Sequence, residues 1–300
     1  MNENHDIIQA GKKSISVQKA LKIINFKKIT YKLFKNPKRN TKHFSVNKFD
    51  KKLNVESFEI DGFKVITVKS DSSSNKHIIF FHGGAYIIEA SKAHRKIIET
   101  FALKYGFKVS FIDYPKAPEN TFKKTHEVVL AAYKQITENY PDGEFILFGD
   151  SAGGGLALAL LQVLRDENIK PFPVKTVLLS PWLDVTMSNE LIQNYIDKDV
   201  ILPVDGLIYA GNIYSGGENP KNHLISPIFG EMNNLGNILL FFGTNEVFYP
   251  DCKKLIDISE SSTGTQIDYV VGEGMMHDWI VFPSEEANQT IEIISEFITD

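Results

Sequence analysis

The sequence predicts an α/β fold built on a mostly parallel sheet, and three observations carry that prediction. Short runs rich in β-branched and aromatic residues alternate with helical segments along most of the 300 residues, the rhythm of strand-helix-strand units. Residues 144–155 read EFILFGDSAGGG, an apolar run that stops at a glycine, turns through Ser151 and resumes as an Ala- and Leu-rich helix. Residues 80–86 read FFHGGAY, so paired glycines follow directly on another apolar run.

Taken in order, the first two strands, 53–60 and 63–70, are joined by Asp61-Gly62. That dipeptide is a hairpin signal, so the pair is expected to be antiparallel. Strands at 77–81, 108–113, 144–149, 174–180, 238–243 and 266–271 bring the expected sheet to eight. Helical patterns near 91–105, 121–139, 152–167, 250–260 and 284–299 fill the gaps. Two segments break the rhythm. Residues 1–52 are lysine-rich, with helical spacing at Val17, Leu21 and Ile24 and a break at Asn36-Pro37. Residues 185–225 carry Leu191, Ile192, Tyr195, Ile196, Leu207, Tyr209, Ile213 and Tyr214. Both lie where a lid can be built. The expected organisation is an N-terminal cap segment 1–52, a core of 53–184 and 226–300, and a cap insertion 185–225. No internal repeat is visible, and residues 71–75 read as a surface loop.

Composition excludes several function classes. With 33 basic and 37 acidic residues the net charge is −4, and the whole chain has no nucleic-acid signature. The charge is unevenly spread, since residues 1–52 hold 14 Lys or Arg against 3 Asp or Glu. That stretch reads as cap helices with a solvated lysine face in preference to a surface for anionic membrane. The single cysteine, Cys252, excludes a disulfide framework and a C-x-x-C site. Gly149 and Gly154 have the spacing of a phosphate-binding loop, but Gly155 stands where lysine is required. No G-x-G-x-x-G follows a strand and no H-E-x-x-H occurs, so neither a nucleotide cofactor nor a metal is expected. The polar start MNENHD and the lack of an apolar run near 18 residues predict a cytoplasmic protein without signal peptide or membrane span. A homodimer is compatible with the sequence, which fixes no oligomeric state.

The chemistry is expected at Ser151. A serine flanked by Gly149 and Gly153 between a strand and a helix sits on a turn too tight for side chains at either glycine. Its hydroxyl is exposed at the strand end, where the amide of Ala152 faces a developing oxyanion. Gly83 and Gly84 can turn further N–H groups toward the same point. His82 adjoins those glycines and reads as a residue that orients the loop. In a strand-turn-helix serine hydrolase the order is Ser, acid, His, which points to His277 as base, with His223 in the insertion as the alternative. Histidines 5, 43, 77, 94 and 126 read as ordinary surface or core positions. The acid is expected just past the strand 238–243, where Glu246 is the first carboxylate. Asp251 is its rival, although its place after Pro250 suggests a helix start.

On these residues the chain resembles the hormone-sensitive-lipase-like branch of the α/β-hydrolases. The resemblance covers roughly residues 53–300. It rests on His82-Gly83-Gly84, Gly149-Asp150-Ser151-Ala152-Gly153-Gly154, Asp113-Tyr114 with Ala117-Pro118-Glu119, Ser180-Pro-Trp-Leu-Asp184, Ser226-Pro227 and the acid and histidine loops. It implies an α/β-hydrolase fold with helices on both faces of the sheet and a helical cap. It also implies a carboxylesterase using Ser151 as nucleophile, His277 as base, and Gly83, Gly84 and Ala152 as oxyanion donors. The insertion 185–225, rich in leucine, isoleucine and tyrosine yet too short for a wide lipid trough, is expected to close an apolar pocket that prefers small-molecule esters with a short to medium acyl chain. The rival readings are a ligand-binding protein on the same fold, which the presence of His277 disfavours, and an amidase or deacetylase of the same family. Three departures from the usual pattern matter. Ala85 replaces a third glycine, Glu246 stands where aspartate is commoner, and Pro115-Lys116 replaces an arginine and an apolar residue, which puts a local ion pair in doubt.

Overall fold

In the computed structural model, which describes residues 5–39 and 44–300, the chain opens with a short strand, β1 (His5–Gln9). Residues 1–4 and 40–43, including His43 and most of the polar start, lie outside the described residues. Helices α1 (Lys12–Ile23) and α2 (Phe26–Lys35) follow. The hairpin comes next, as β2 (Asn54–Ile60) and β3 (Phe63–Lys69). Asp61 and Gly62 have φ of 50° and 82°, the left-handed pair that a two-residue hairpin turn demands. The two strands pair antiparallel in full register from Asn54↔Lys69 to Ile60↔Phe63.

Strands and helices then alternate: β4 (Lys76–Phe81), α3 (Lys92–Lys104), β5 (Lys108–Ile112), α4 (Phe122–Asn139), β6 (Glu144–Asp150), α5 (Ala152–Asp166) and β7 (Lys175–Leu179). After the insertion, which holds α6 (Val204–Ser215), come β8 (Gly236–Asn245), α7 (Tyr249–Glu260), β9 (Thr265–Met276) and α8 (Glu285–Thr299). The sheet order is β1-β9-β8-β7-β6-β4-β5-β3-β2. Every neighbour pair is parallel except β2 with β3 and β3 with β5.

The described residues form nine strands where eight were expected. The extra one, β1, pairs with β9 from His5↔Tyr269 to Gln9↔Glu273. It carries two apolar residues, of which Ile8 is buried and Ile7 exposed, too short an alternation to register as a strand signal. The segment expected to form an N-terminal cap thus includes this edge strand, and its Phe44 and Phe49 join the core beneath the sheet. In α1 the buried face is Ser14, Gln18 and Leu21. Val17 is half-buried, while Ile24, just past the end of the helix at Ile23, is exposed.

The two sides of the sheet make two cores. Alternate residues separate cleanly, Ile78 and Phe80 of β4 packing on one side and Ile79 and Phe81 on the other, as the period of two requires. The first side is covered by α3 and α8 and the second by α4, α5 and α7. Central strands buried on both faces explain why 77–81 and 144–149 read as continuous apolar runs.

Candidate active site

Ser151 sits between β6 and α5 with φ 53° and ψ −121°, a conformation that strains a residue with a Cβ and persists only where its surroundings hold it. Two backbone bonds do so. Its N–H donates to the Leu179 carbonyl at 2.8 Å, and its own carbonyl accepts from Trp182 N–H at 2.9 Å. The flanking glycines are required sterically. A Cβ on Gly149 would lie 2.1 Å from the Gly153 carbonyl oxygen, and one on Gly153 would lie 2.0 Å from that of Phe81.

His277 follows immediately on β9. That strand runs five residues beyond its expected end, as β8 runs two beyond its own, and Asn245 pairs with Met276 across an irregularity after Gly243. The paired extension brings the acid loop and the histidine to the same end of the sheet. His277 Nε2 lies 2.9 Å from Ser151 Oγ, and its Nδ1 lies 2.6 Å from Glu246 Oε2. With the ring proton on Nδ1, donated to Glu246, Nε2 accepts the serine hydroxyl proton. The other oxygen of Glu246 accepts Gly243 N–H at 2.6 Å and the Ser180 hydroxyl at 3.0 Å. Glu246 is wholly buried and His277 nearly so, so each oxygen of the carboxylate is occupied, as burial demands.

The rivals lie elsewhere. His223 is exposed within the insertion. Asp251 is in the first turn of α7 and accepts from Asn189 Nδ2 at 2.8 Å; burial pushes its carboxyl up to about 6. His82 is fully buried and stacked on Tyr114, its ring centroid 4.6 Å away, and Tyr114 Oη donates to its carbonyl at 2.6 Å. Burial also holds its imidazole well below the usual range. The ion pair left in doubt at 115–116 is present. Lys116 Nζ lies 2.5 Å from Asp113 and 2.9 Å from Glu89.

The glycine loop requires one correction. Gly83 N–H donates to Asp150 Oδ2 at 2.7 Å, so it is not free for an oxyanion. The amides of Gly84, Ala85 and Ala152 have no protein partner among the described residues. Ala85, with φ 55°, thus offers a free amide where the one expected at Gly83 is taken. Its identity as alanine hid it, since the sequence signal looked for glycine.

Three residues that sequence reasoning left out surround this corner. His94 Nε2 lies 3.2 Å from the same Asp150 oxygen. Asp278, with φ 54° and ψ 43°, turns the chain after His277 and donates its N–H to Ser180 Oγ at 3.3 Å. Asp199, in the insertion, accepts the amides of Ile201 and Leu202 at one oxygen and that of Val247, beside Glu246, at the other. Asp150 and Asp278 stand next to the nucleophile and the histidine in sequence, a signal that could have marked them. Asp199 carried none.

Ser151 and His277 open into a cavity of about 250 Å³. Its floor is Gly83, Gly84, Ala85 and Ser151; its roof is Phe26, Thr30, Leu33 and Phe34 of α2 with Ile201, Leu202 and Leu207 of the insertion. Val281 and Phe282 close one side. Among the described residues no helix is long and apolar enough to cross a membrane.

A parallel sheet whose strand-to-helix turn presents a serine to a histidine and a buried carboxylate defines a hydrolase of the α/β class. Residues 78–281 match the family of proteins with the alpha/beta hydrolase fold, and the chain belongs to that family. It is 29% identical over 236 residues to an acetyl-hydrolase of Streptomyces hygroscopicus, covering 77% of this chain and 78% of that one. Among solved structures it is similar to an esterase from the bacterial hormone-sensitive lipase family, with a TM-score of 0.81, 25% identity, and coverage of 96% and 98% of the two chains. It is equally similar to EstE5 soaked with p-nitrophenyl butyrate, at a TM-score of 0.81, 25% identity, and coverage of 96% and 98%.

Proposed function

We propose that this protein is a serine carboxylesterase that cleaves short- to medium-chain acyl esters of small molecules through a covalent acyl-enzyme. The observation that carries the reading is the hydrogen-bonded chain from Ser151 through His277 to Glu246, set at the floor of a small apolar cavity. His277 Nε2 takes the Ser151 proton as Oγ attacks the acyl carbon, and Glu246 stabilises the imidazolium that forms. The oxyanion lies against the amides of Gly84, Ala85 and Ala152, which are free of protein partners and need no reorganisation. His277 then protonates the leaving alkoxide. Water, deprotonated by the same nitrogen, releases the acid from Ser151.

The size of the cavity supports the acyl range. At about 250 Å³ it is below the usual span of pockets for drug-sized ligands, roughly 300–1,000 Å³, and its roof is aliphatic and aromatic. The names of the relatives, acetyl-hydrolase and esterase, agree with a small acyl group. The test is a series of p-nitrophenyl esters of increasing chain length given to purified protein. Turnover is expected to climb over the first few carbons and then fall. Absence of hydrolysis along the whole series, or a rate that keeps rising on emulsified long-chain triglycerides, would overturn the proposal.

A further inference from the structure

At one edge of the cavity, which His94 and Asp278 help to line, lies a cluster that takes no part in the acyl transfer. His94, Asp150 and Asp278 each bring one ring nitrogen or carboxylate oxygen within 4.8 Å of the others; His94 and Asp150 are buried, and Asp278 stands at the margin of the cavity. The groups come from three elements, α3, the end of β6 and the turn after β9. One oxygen of Asp150 is fully engaged, accepting from Gly83 N–H at 2.7 Å and facing His94 Nε2 at 3.2 Å. The Oδ1 atom of Asp150 and the Oδ1 atom of Asp278 are buried and have no hydrogen-bond partner.

Two carboxylates cannot be buried against one another with unpaired oxygens while both are ionised. One proton between them satisfies both. The conformation of Asp278 adds a second argument. Its left-handed φ of 54° is a setting that glycine adopts at no steric cost and that aspartate merely tolerates, so its carboxyl is what this position gains over glycine.

We propose that Asp278 is a positioning residue whose carboxyl shares one proton with Asp150, fixing the carboxylate that holds Gly83 N–H and with it the oxyanion loop 83–85. The inference rests on the esterase reading. It gives the Gly83 bond a purpose, because the unpartnered amides of Gly84 and Ala85 are aimed by the loop that this bond anchors. The groups facing Asp278 are Asp150 from β6, His94 from α3, Glu246 from the loop after β8, and its own neighbour His277. Burial and the Asp150 charge both raise the Asp278 carboxyl well above the ordinary carboxylate range, with the Glu246 charge adding to them. For an acid raised in this way the protonated form is native and the link is lost as pH rises, so the device predicts a decline on the alkaline side.

The test compares Asp278→Gly, which suits the backbone and removes the donor, with Asp278→Asn, which suits the backbone and keeps one. Asp278→Gly is expected to lower kcat for a short p-nitrophenyl ester about tenfold with KM unchanged, a partial loss of oxyanion geometry. Asp278→Asn is expected to stay within about twofold of the parent near neutral pH and to lack its alkaline decline. Infrared spectroscopy supplies a readout independent of turnover. The parent should show a protonated carboxyl at neutral pH that is absent in Asp278→Asn. No such band, an unaffected kcat in Asp278→Gly, or an alkaline limb that persists in Asp278→Asn would overturn the proposal. So would loss of activity on chelation that an added divalent metal restores, which would put a cation where the proton is assigned. Failure of the esterase reading is recognised separately, by an undiminished rate in Ser151→Ala.

Discussion

The floor and the roof of the cavity are specified in different ways. The floor is made of two short stretches, His82–Gly84 with Ala85 and Gly149 to Gly153, in which nearly every residue meets a geometric demand of its own. A Cβ at Gly153 would lie 2.0 Å from a carbonyl oxygen, and Ser151 must hold a φ of 53°. The roof is assembled from α2 and from Ile201, Leu202 and Leu207, residues far apart in the chain whose requirement is to be apolar and of suitable size. Interiors tolerate volume-conserving apolar swaps, whereas an unfilled role at the floor has no substitute. Changes at the floor should therefore abolish turnover, and changes at the roof should redistribute it among substrates.

The largest effects test the floor. Ser151→Ala and His277→Ala are each expected to lower kcat by about four to six orders of magnitude, measured on a short p-nitrophenyl ester. Glu246→Ala should cost about two to four orders, since the acid orients and stabilises without attacking. Asp251→Ala should cost less than about tenfold, and the acid role would move to Asp251 if it proved the more damaging of the two.

The roof gives smaller changes. Leu33→Ala, at a half-buried position lining the cavity, is expected to keep activity on acetate within about threefold while shifting the preferred acyl chain upward by one or two carbons. Each methylene accommodated is worth about 0.8 kcal/mol. A uniform loss at every chain length would mean that the roof shapes the floor as well.

The smallest effect concerns stability. Asp251, raised by burial to about 6 in the folded chain, is more readily protonated there than in the unfolded chain. Stability is therefore lost as pH rises through 6, the reverse of a salt-bridged carboxylate. Asp251→Asn should raise Tm by about a degree or two at pH 8 and leave it unchanged near pH 4, read by thermal melts at both values.

The same contrast explains what the sequence discloses. Elements of the floor carry local signals: paired glycines, a strand running into a helix at Ser151, a hairpin at Asp61-Gly62. The seven strands from 63–69 onward, with the hairpin partner before them, lie where periodicity predicted. Glu246 and His277 were legible from their order and from the strands preceding them, and the geometry joins them to Ser151. What was not legible depends on distant contacts. β1 is recognisable only beside β9, because two isoleucines make no pattern alone. Gly83 was assigned to the oxyanion because the residue type allows it, while the bond that claims its amide comes from Asp150, 67 positions away. Asp199 grips Val247 from 48 positions away, and nothing in the residues around it announces that contact.

Mass spectrometry of the protein labelled with a fluorophosphonate tests most directly whether Ser151 forms a covalent acyl intermediate. One adduct per chain is expected, located on Ser151, with ester hydrolysis lost in proportion to labelling and no adduct in Ser151→Ala. A fully labelled protein that still hydrolyses the ester, or an adduct on any other residue that accompanies the loss of activity, would contradict it.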